Sequence, residues 1–353
     1  MGAVLGGGQV VRSVNLVLAG FGHVGRAFFD IVREKSELCR RAYGLDLRFR
    51  AVFKSQGVFY TGRALRPTDI LRNEAPWLDG NPAWKPGLLL HEVLTAAEPG
   101  CLVECTPSNL KTGEPALGYM TQAFDHAWNV VAASKGALVV AFKKLRWMAS
   151  RRRLALKFSG ATAAALPTLD ISLFALAGAE IQEIQGILNG TSNYILTRME
   201  EGSPYKEALR EAQARGIAEP DPTLDVDGWD TAAKILLIAN SVLDLEYSLD
   251  EVAVEGIAGL APRDIKKSRS EGRALKLLGT CSRTSTAEPW RLAVKPQAIP
   301  VAHPLAGVSG TNKGITFRTD TMGSITVTGG GSDPRATGAA VLKDIINIYR
   351  PPN

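Results

Sequence analysis

Val14-Asn15-Leu16-Val17-Leu18-Ala19-Gly20-Phe21-Gly22-His23-Val24-Gly25 opens as an apolar run and breaks into a glycine turn, and an amphipathic stretch from Arg26 to about Cys39 follows. A short apolar run bounded by glycine fits a buried parallel strand, and the stretch behind it has a helical apolar period. Strand, glycine turn and helix together form the setting that a G-x-G-x-x-G pattern needs to bind a dinucleotide. Gly20 permits the tight turn, Gly22 lets the backbone approach a pyrophosphate, and Gly25 lets helix and strand pack closely. The helix start adds free N–H groups and a positive dipole end. Residues Gly20, Phe21, Gly22, His23, Val24 and Gly25 are therefore the expected cofactor turn; the alternative is a glycine turn that packs a helix and holds no ligand.

Working outward, strands fit residues 47–53, 101–105 and 130–133, each preceded by a plausible helix. Such alternation predicts βαβ units and a parallel sheet covered on both faces. The second strand ends in Phe53-Lys54-Ser55-Gln56-Gly57, without the acid that would hold the ribose 2′-hydroxyl of NAD. Lys54 and Ser55 suit a 2′-phosphate instead, so NADP is expected over NAD, unless Lys54 is only a solvated strand end. Thr106-Pro107-Ser108 follows another strand at the carboxyl edge, where ligands of such sheets collect.

Beyond Arg153 the pattern changes. A strand over 154–158, a helix over 167–176 and a strand over 181–188 lead into Asn189-Gly190-Thr191. Helices are expected over 205–215 and 231–243, strands over 291–294, 315–318 and 324–328, then Gly329-Gly330-Gly331 and a last helix over about 335–349. The fold class is α/β: a Rossmann-type dinucleotide-binding domain over 1–153 and 329–353, to which the last helix returns, and an α+β substrate-binding and dimerisation region over 154–328. The strands between 292 and 328 have no obvious local partner, and exposed strand edges are usually paired or covered.

A chain of 353 residues, 45% hydrophobic and 22% charged, is long enough for about two domains with a buried core, which excludes disorder as the main state. The net charge of +6 is spread along the chain. The basic runs Lys143-Lys144 with Arg146 and Arg151-Arg152-Arg153 read as solvated surface, so no nucleic-acid partner is expected. No apolar run reaches the roughly 18 residues that span a bilayer. The start of the chain, Met1 to Gly8, lacks a basic end and a long apolar stretch, and its glycines read as a disordered terminus. A cytoplasmic protein with reduced thiols is expected. The four cysteines and four histidines show no ligand spacing, so no metal is assigned.

The most informative stretch is Gly216-Ile217-Ala218-Glu219-Pro220-Asp221-Pro222-Thr223-Leu224-Asp225-Val226-Asp227-Gly228-Trp229-Asp230-Thr231-Ala232-Ala233-Lys234. A run of acids precedes one lysine, and Asp230 and Lys234, four apart, share a helix face. A structural ion pair is the plain reading. The lysine, however, begins an otherwise apolar helix, where it must justify its desolvation.

Here the sequence resembles homoserine dehydrogenase. The matching segments follow the family's order: Gly20 to Gly25; Val131-Ala132-Ala133-Ser134-Lys135-Gly136-Ala137-Leu138; Gly186-Ile187-Leu188-Asn189-Gly190-Thr191-Ser192-Asn193-Tyr194-Ile195-Leu196; Gly216 to Lys234; and His303-Pro304-Leu305-Ala306 with the glycine-rich end. The resemblance implies reversible reduction of L-aspartate 4-semialdehyde to L-homoserine with NADP or NAD, a step towards threonine and methionine. It implies Lys234 as the proton-transfer residue, Lys135 as a second active-site lysine, and Glu219 and Asp230 as substrate-binding carboxylates. Asn189, Gly190 and Thr191 would approach the substrate, and Thr106, Pro107, Ser134, Lys135 and Gly330 the cofactor. It also implies a homodimer formed through the middle region. The chemistry fits a substrate with an ammonium, a carboxylate and a reducible carbonyl, because carboxylates can hold the ammonium and a lysine can protonate the nascent alkoxide.

Two departures stand out. Many members of that family carry a carboxylate before the small-residue run and hold a monovalent cation with it; here Ser159 occupies the place, so the cation is withheld. The chain ends at Asn353, soon after the last helix, so a C-terminal ACT regulatory domain, a kinase fusion and threonine inhibition through such a domain are not expected. Among rivals, aspartate-semialdehyde dehydrogenase needs a cysteine nucleophile, for which Cys101, Cys105 and Cys281 lack support. A silent dinucleotide sensor would not need Lys135, Glu219, Asp230 and Lys234 together.

Overall fold

The computed structural model describes residues 11–70, 81–285, 287–330 and 333–350. The glycine-rich start over 1–10 and Gly331 lie outside the described residues. The first sheet is built from β1 (Arg12–Ala19), β2 (Leu45–Lys54), β3 (Gly57–Leu65), β4 (Trp84–Lys85), β5 (Cys101–Glu104), β6 (Asn129–Ala132) and β7 (Leu156–Lys157) in the order β4-β3-β2-β1-β5-β6-β7. Around it lie α1 (His23–Tyr43), α2 (Leu90–Thr95), α3 (Ala116–Asp125) and α4 (Gly136–Arg151). Strands β2, β1, β5, β6 and β7 run parallel, as expected of buried apolar strands. Chain order reverses between β1 and β5, and that switch point puts a crevice at the carboxyl edge beside the glycine turn.

The strands expected to lie parallel do so, and the sheet carries in addition an antiparallel edge that the sequence reading did not anticipate. β3 turns straight back on β2, pairing Lys54 with Gly57, and β4 pairs with β3. Two residues between Lys54 and Gly57 leave no length for a crossover helix, which needs a dozen or more.

Alternation along β1 feeds two cores. Val17 and Ala19 enter one with Leu102 and Val130, while Leu16 and Leu18 enter the other with Phe28, Phe29 and Val32. The last helix closes the second core with Val341, Ile345 and Tyr349, so the end of the chain does return to the first sheet. Tyr349 also receives a hydrogen bond from Asn129 Nδ2 at 2.8 Å.

The second half begins with α5 (Ser159–Ala163) and a short turn, Thr168–Asp170, that widens into a π-helical turn at Ile171–Ala175 where a regular helix was expected. Next come β8 (Ile181–Ile187), α6 (Gly190–Glu200), α7 (Tyr205–Ala214), α8 (Trp229–Val242), β9 (Ala253–Val254), α9 (Pro262–Ser270), β10 (Arg273–Ser282), β11 (Arg291–Pro300), β12 (Lys313–Thr319), β13 (Ser324–Gly329) and α10 (Pro334–Tyr349). The second sheet runs β13-β12-β8-β10-β11-β9. The strands between 292 and 328 are thus paired inside the chain, because β8 and β10 supply the partners that local sequence does not reveal. Helix α8 lies against this sheet, its Ile235, Leu236, Leu237 and Ile238 fully buried; burial of such side chains contributes roughly 2 kcal/mol each. The basic runs form surface ion pairs, Lys143 with Glu246, Arg146 with Asp244 and Arg152 with Asp125. Among the described residues, no helix is long and apolar enough to cross a membrane.

Candidate functional site

The glycine turn has the shape a pyrophosphate requires. Gly20 sits at φ +93°, and a Cβ there would come within 2.5 Å of the Cys105 carbonyl oxygen; a Cβ on Gly25 would come within 2.0 Å of the Gly20 oxygen. A Cβ on Gly22 would meet nothing within 4 Å among the described residues. No side chain caps the start of α1 and no acid occupies its first turn, so the N–H groups of a 21-residue helix face the gap. Phe21 lies beneath the Arg26 guanidinium, 5.3 Å from ring centre. These residues fit a dinucleotide.

Across the sheet edge, Glu104 ends β5 with no exposed surface. One carboxyl oxygen accepts from Thr106 N at 2.6 Å and Thr106 Oγ1 at 2.5 Å, and the other accepts from Ser134 Oγ at 2.5 Å. Burial raises its pKa, and those hydrogen bonds pull the other way. Glu104 thereby ties the Thr106-Pro107-Ser108 loop to the Ser134-Lys135 loop, and Ser108 Oγ accepts from Lys135 N at 3.0 Å. Lys54 ends β2 with its ammonium 5.9 Å from the Trp84 ring, and Ser55 beside it is exposed.

Lys135 links this edge to the acid and lysine cluster. Its Nζ lies 3.4 Å from Asp230 Oδ1, while Lys234 Nζ lies 2.6 Å from Asp230 Oδ2. Lys234 also donates to the Leu188 carbonyl oxygen at 2.9 Å, where β8 runs out. Asn189 completes the arrangement: its Nδ2 donates to Asp230 Oδ2 at 2.7 Å and to Asp225 Oδ1 at 2.6 Å, and its Oδ1 caps α6 by accepting from Ser192 N at 2.8 Å. Burial alone would raise the Asp230 pKa. The Lys234 and Lys135 ammoniums and the hydrogen bonds from Lys234 and Asn189 outweigh it and hold Asp230 well below the usual carboxylate range. Asp225 moves the opposite way, raised by burial and by the Asp230 charge. Thr191 Oγ1 donates to the Ile217 carbonyl oxygen at 3.0 Å, and Gly190 begins α6 beside it.

The fold therefore brings together Lys234, Lys135, Asp230 and Asn189, with Thr191 close by. It does not bring Glu219 to them: Glu219 is exposed, and among the described residues its carboxylate makes no hydrogen bond or ion pair. Gly330 packs on the Ala165-Leu166 turn, where its Cβ would lie 3.3 Å from Leu166 N. Three residues escaped the sequence reading. Asp225 was visible as one acid of the run, and Glu104 as an acid ending a strand at the ligand edge. Lys313 gave no signal: it starts β12, is 1% exposed, and donates from Nζ to the Ala163 carbonyl oxygen at 2.8 Å. Burial and the Lys234 charge push its pKa down to about 7.

The cysteines are poor nucleophiles. Burial raises the Cys101 and Cys105 thiols, helped by Asp344 and Glu104 respectively, and pushes Cys281 up to about 12. A thiol that stays protonated is unsuited to a cysteine-dependent aldehyde dehydrogenase.

Comparison with known proteins bears on this site as a whole. Residues 167–346 match the family model described as homoserine dehydrogenase. The chain is 33% identical to a homoserine dehydrogenase of Methanocaldococcus jannaschii, over 95% of this chain and 98% of that protein. It is 32% identical to the NAD(+)-dependent homoserine dehydrogenase of Pseudomonas canavaninivorans, over 95% and 96%. The crystal structure of a homoserine dehydrogenase from Thiobacillus denitrificans superposes with a TM-score of 0.82 at 26% identity, covering 96% of this chain and 74% of that one. With the nucleotide-ready glycine turn, the buried Asp230 and lysine cluster and these likenesses together, the chain belongs to the homoserine dehydrogenase family.

Proposed function

We propose that this oxidoreductase reversibly reduces L-aspartate 4-semialdehyde to L-homoserine, a step towards threonine and methionine, with NADP(H) preferred over NAD(H). The observation that carries the reading is the Asp230 carboxylate shared by Lys234 and Lys135, at 2.6 and 3.4 Å. Bound nicotinamide supplies the hydride. Lys234 gives a proton to the developing alkoxide, and Asp230, 2.6 Å away, holds it in place. Lys135 holds position at both ends, through Ser108 at its backbone and Asp230 at its ammonium. Asp230 and Asn189, with Gly190 and Thr191 beside them, face the substrate, and Glu219, which stands outside this cluster, is assigned to the substrate ammonium by the family resemblance alone. Gly20 to Gly25 cradle the pyrophosphate, while Thr106, Pro107, Ser134 and Gly330 border the remainder of the cofactor.

The NADP preference rests on Lys54 and the exposed Ser55 where an acid would suit NAD. The domain division at 153/154 and 328/329 follows the two sheets, with β7 lying just across that line. Helices α6, α8 and α9 pack on one face of the second sheet. Its other face is partly covered, where Leu305 and Val308 pack on Ile187 and Leu278, and the remainder carries Glu183, Thr280 and Arg318, none of them fully buried, which suits a homodimer formed there. Free thiols at all four cysteines suit the cytoplasm. The test is direct: purified protein with aspartate semialdehyde should oxidise NADPH, and NADH more weakly. Consumption of neither cofactor would reject the reading.

A further inference from the structure

Around Ser159 and the run that follows, two oxygens already face protein ammoniums: Ser159 Oγ faces Lys343, itself paired with Asp170 and Asp344, and the Ala163 carbonyl faces Lys313. Ser159 Oγ donates to Asp344 Oδ1 at 2.8 Å and accepts from Lys343 Nζ at 2.9 Å, and Ser159 N donates to Asp344 Oδ2 at 2.9 Å. The Ser159 carbonyl oxygen accepts from Thr162 Oγ1 at 3.0 Å. The Ala163 carbonyl oxygen accepts from Leu166 N at 3.2 Å and from Lys313 Nζ at 2.8 Å. Beside it Ala164 is held at φ +53°, in the left-handed region that favours glycine.

Lys313 is the unusual member of this group. Among the described residues its ammonium makes no ion pair, although Asp230 and Asp333 act on it from further off and Lys234 opposes them, and burying such a charge costs several kcal/mol. It reaches Ala163 from 150 residues further along the chain. A bound alkali ion needs several oxygens not already facing positive charge. Here the acid is replaced by a serine, the serine hydroxyl is shared between Asp344 and Lys343, and an ammonium points at the next carbonyl. The residues present do not fit the ion.

We propose that no monovalent metal ion binds at this run: the Lys313 ammonium on the Ala163 carbonyl, with Lys343 on the Ser159 hydroxyl, takes up oxygens that such an ion would need. Lys313 is then a positioning residue that holds the Ala163 to Leu166 turn on which Gly330 packs.

The proposal rests on the family assignment, but its test is read without turnover, so a failed activity assay and a failed proposal remain distinguishable. Parent and Lys313→Ala proteins would be melted at pH 5.5, well below the lowered Lys313 value of about 7, in sodium, potassium or choline chloride of equal concentration. Sodium-23 NMR line width would be followed alongside. The parent should melt within a degree in all three salts and give no saturable sodium broadening. Lys313→Ala should melt several degrees lower in choline chloride and recover part of the loss in sodium or potassium. A parent stabilised selectively by either ion, or broadening sodium saturably, would overturn the proposal, as would a folded Lys313→Ala protein indifferent to the salt. If the variant does not fold, the parent titration decides alone.

Discussion

The Asp230 carboxylate stands 2.6 Å from the Lys234 ammonium, one turn away on the same helix, at the buried mouth of α8. Helix geometry explains the pairing, since residues four apart face each other. It does not explain the burial, with both side chains under 15% exposed. An ammonium buried there needs a neighbouring negative charge, and the one Asp230 carboxylate serves both Lys234 and Lys135. Such a site favours a substrate in which negative charge develops on oxygen.

Removing that carboxylate while keeping its shape should expose the cost of the two lysines. Asp230→Asn is expected to destabilise the fold by about 3 kcal/mol at pH 7, the scale for breaking a buried ion pair. The sign with pH follows from the depressed folded pKa of Asp230. Its contribution is fully present above the unfolded value of about 4 and is lost as pH falls through the lower folded value. Urea denaturation from pH 7 downward should therefore show the gap between parent and variant closing in acid. A gap that widens in acid would contradict the assignment.

Glu104 should matter to the cofactor more than to the substrate. Glu104→Ala leaves the buried donors of Thr106 and Ser134 without their acceptor, a loss of about 1–3 kcal/mol. Calorimetric titration should find NADPH binding weakened about tenfold, with Glu104→Gln affected much less. Equal cofactor affinity in all three proteins would remove the carboxylate from any role at that edge.

Lys54→Asp should shift binding from NADP towards NAD, because an acid at the end of β2 favours the ribose hydroxyls. Isothermal titration of the parent should give tighter NADP than NAD, and the reverse result would sink the preference. A strong hold on the 2′-phosphate can also slow release, so turnover with each cofactor should be recorded beside affinity.

Much of this was readable from local sequence. The run from Val14 to Gly25 encodes its strand, turn and helix within twelve residues, and Asp230 and Lys234 encode their pairing by spacing alone. Most of what could not be read depends on partners far along the chain. Of the strands between 292 and 328, β12 has a partner more than 100 residues earlier in β8, while β11 pairs with the preceding β10 and β13 with β12, local pairings that the turn sequences did not signal. Lys313 looked ordinary because its acceptor is at Ala163. Glu219 and Asp225 are chemically alike in the acid run, and only the approach of Asn189 singles out Asp225.

The dimer now rests on the open face of the second sheet instead of on unpaired strands. Light scattering at micromolar concentration should give twice the chain mass of 37.8 kDa. A species at the single-chain mass would reject the dimer and leave the chemistry of the site untouched.

The most direct test of the central claim is kcat for Lys234→Ala, measured per folded active site with aspartate semialdehyde and NADPH and accompanied by a melting curve. Loss of a positioned proton donor predicts a fall of about 10² to 10⁴ in kcat with cofactor affinity nearly unchanged. A folded Lys234→Ala enzyme that retained the parental kcat would show the Asp230 and Lys234 pair to be structural and would contradict the account.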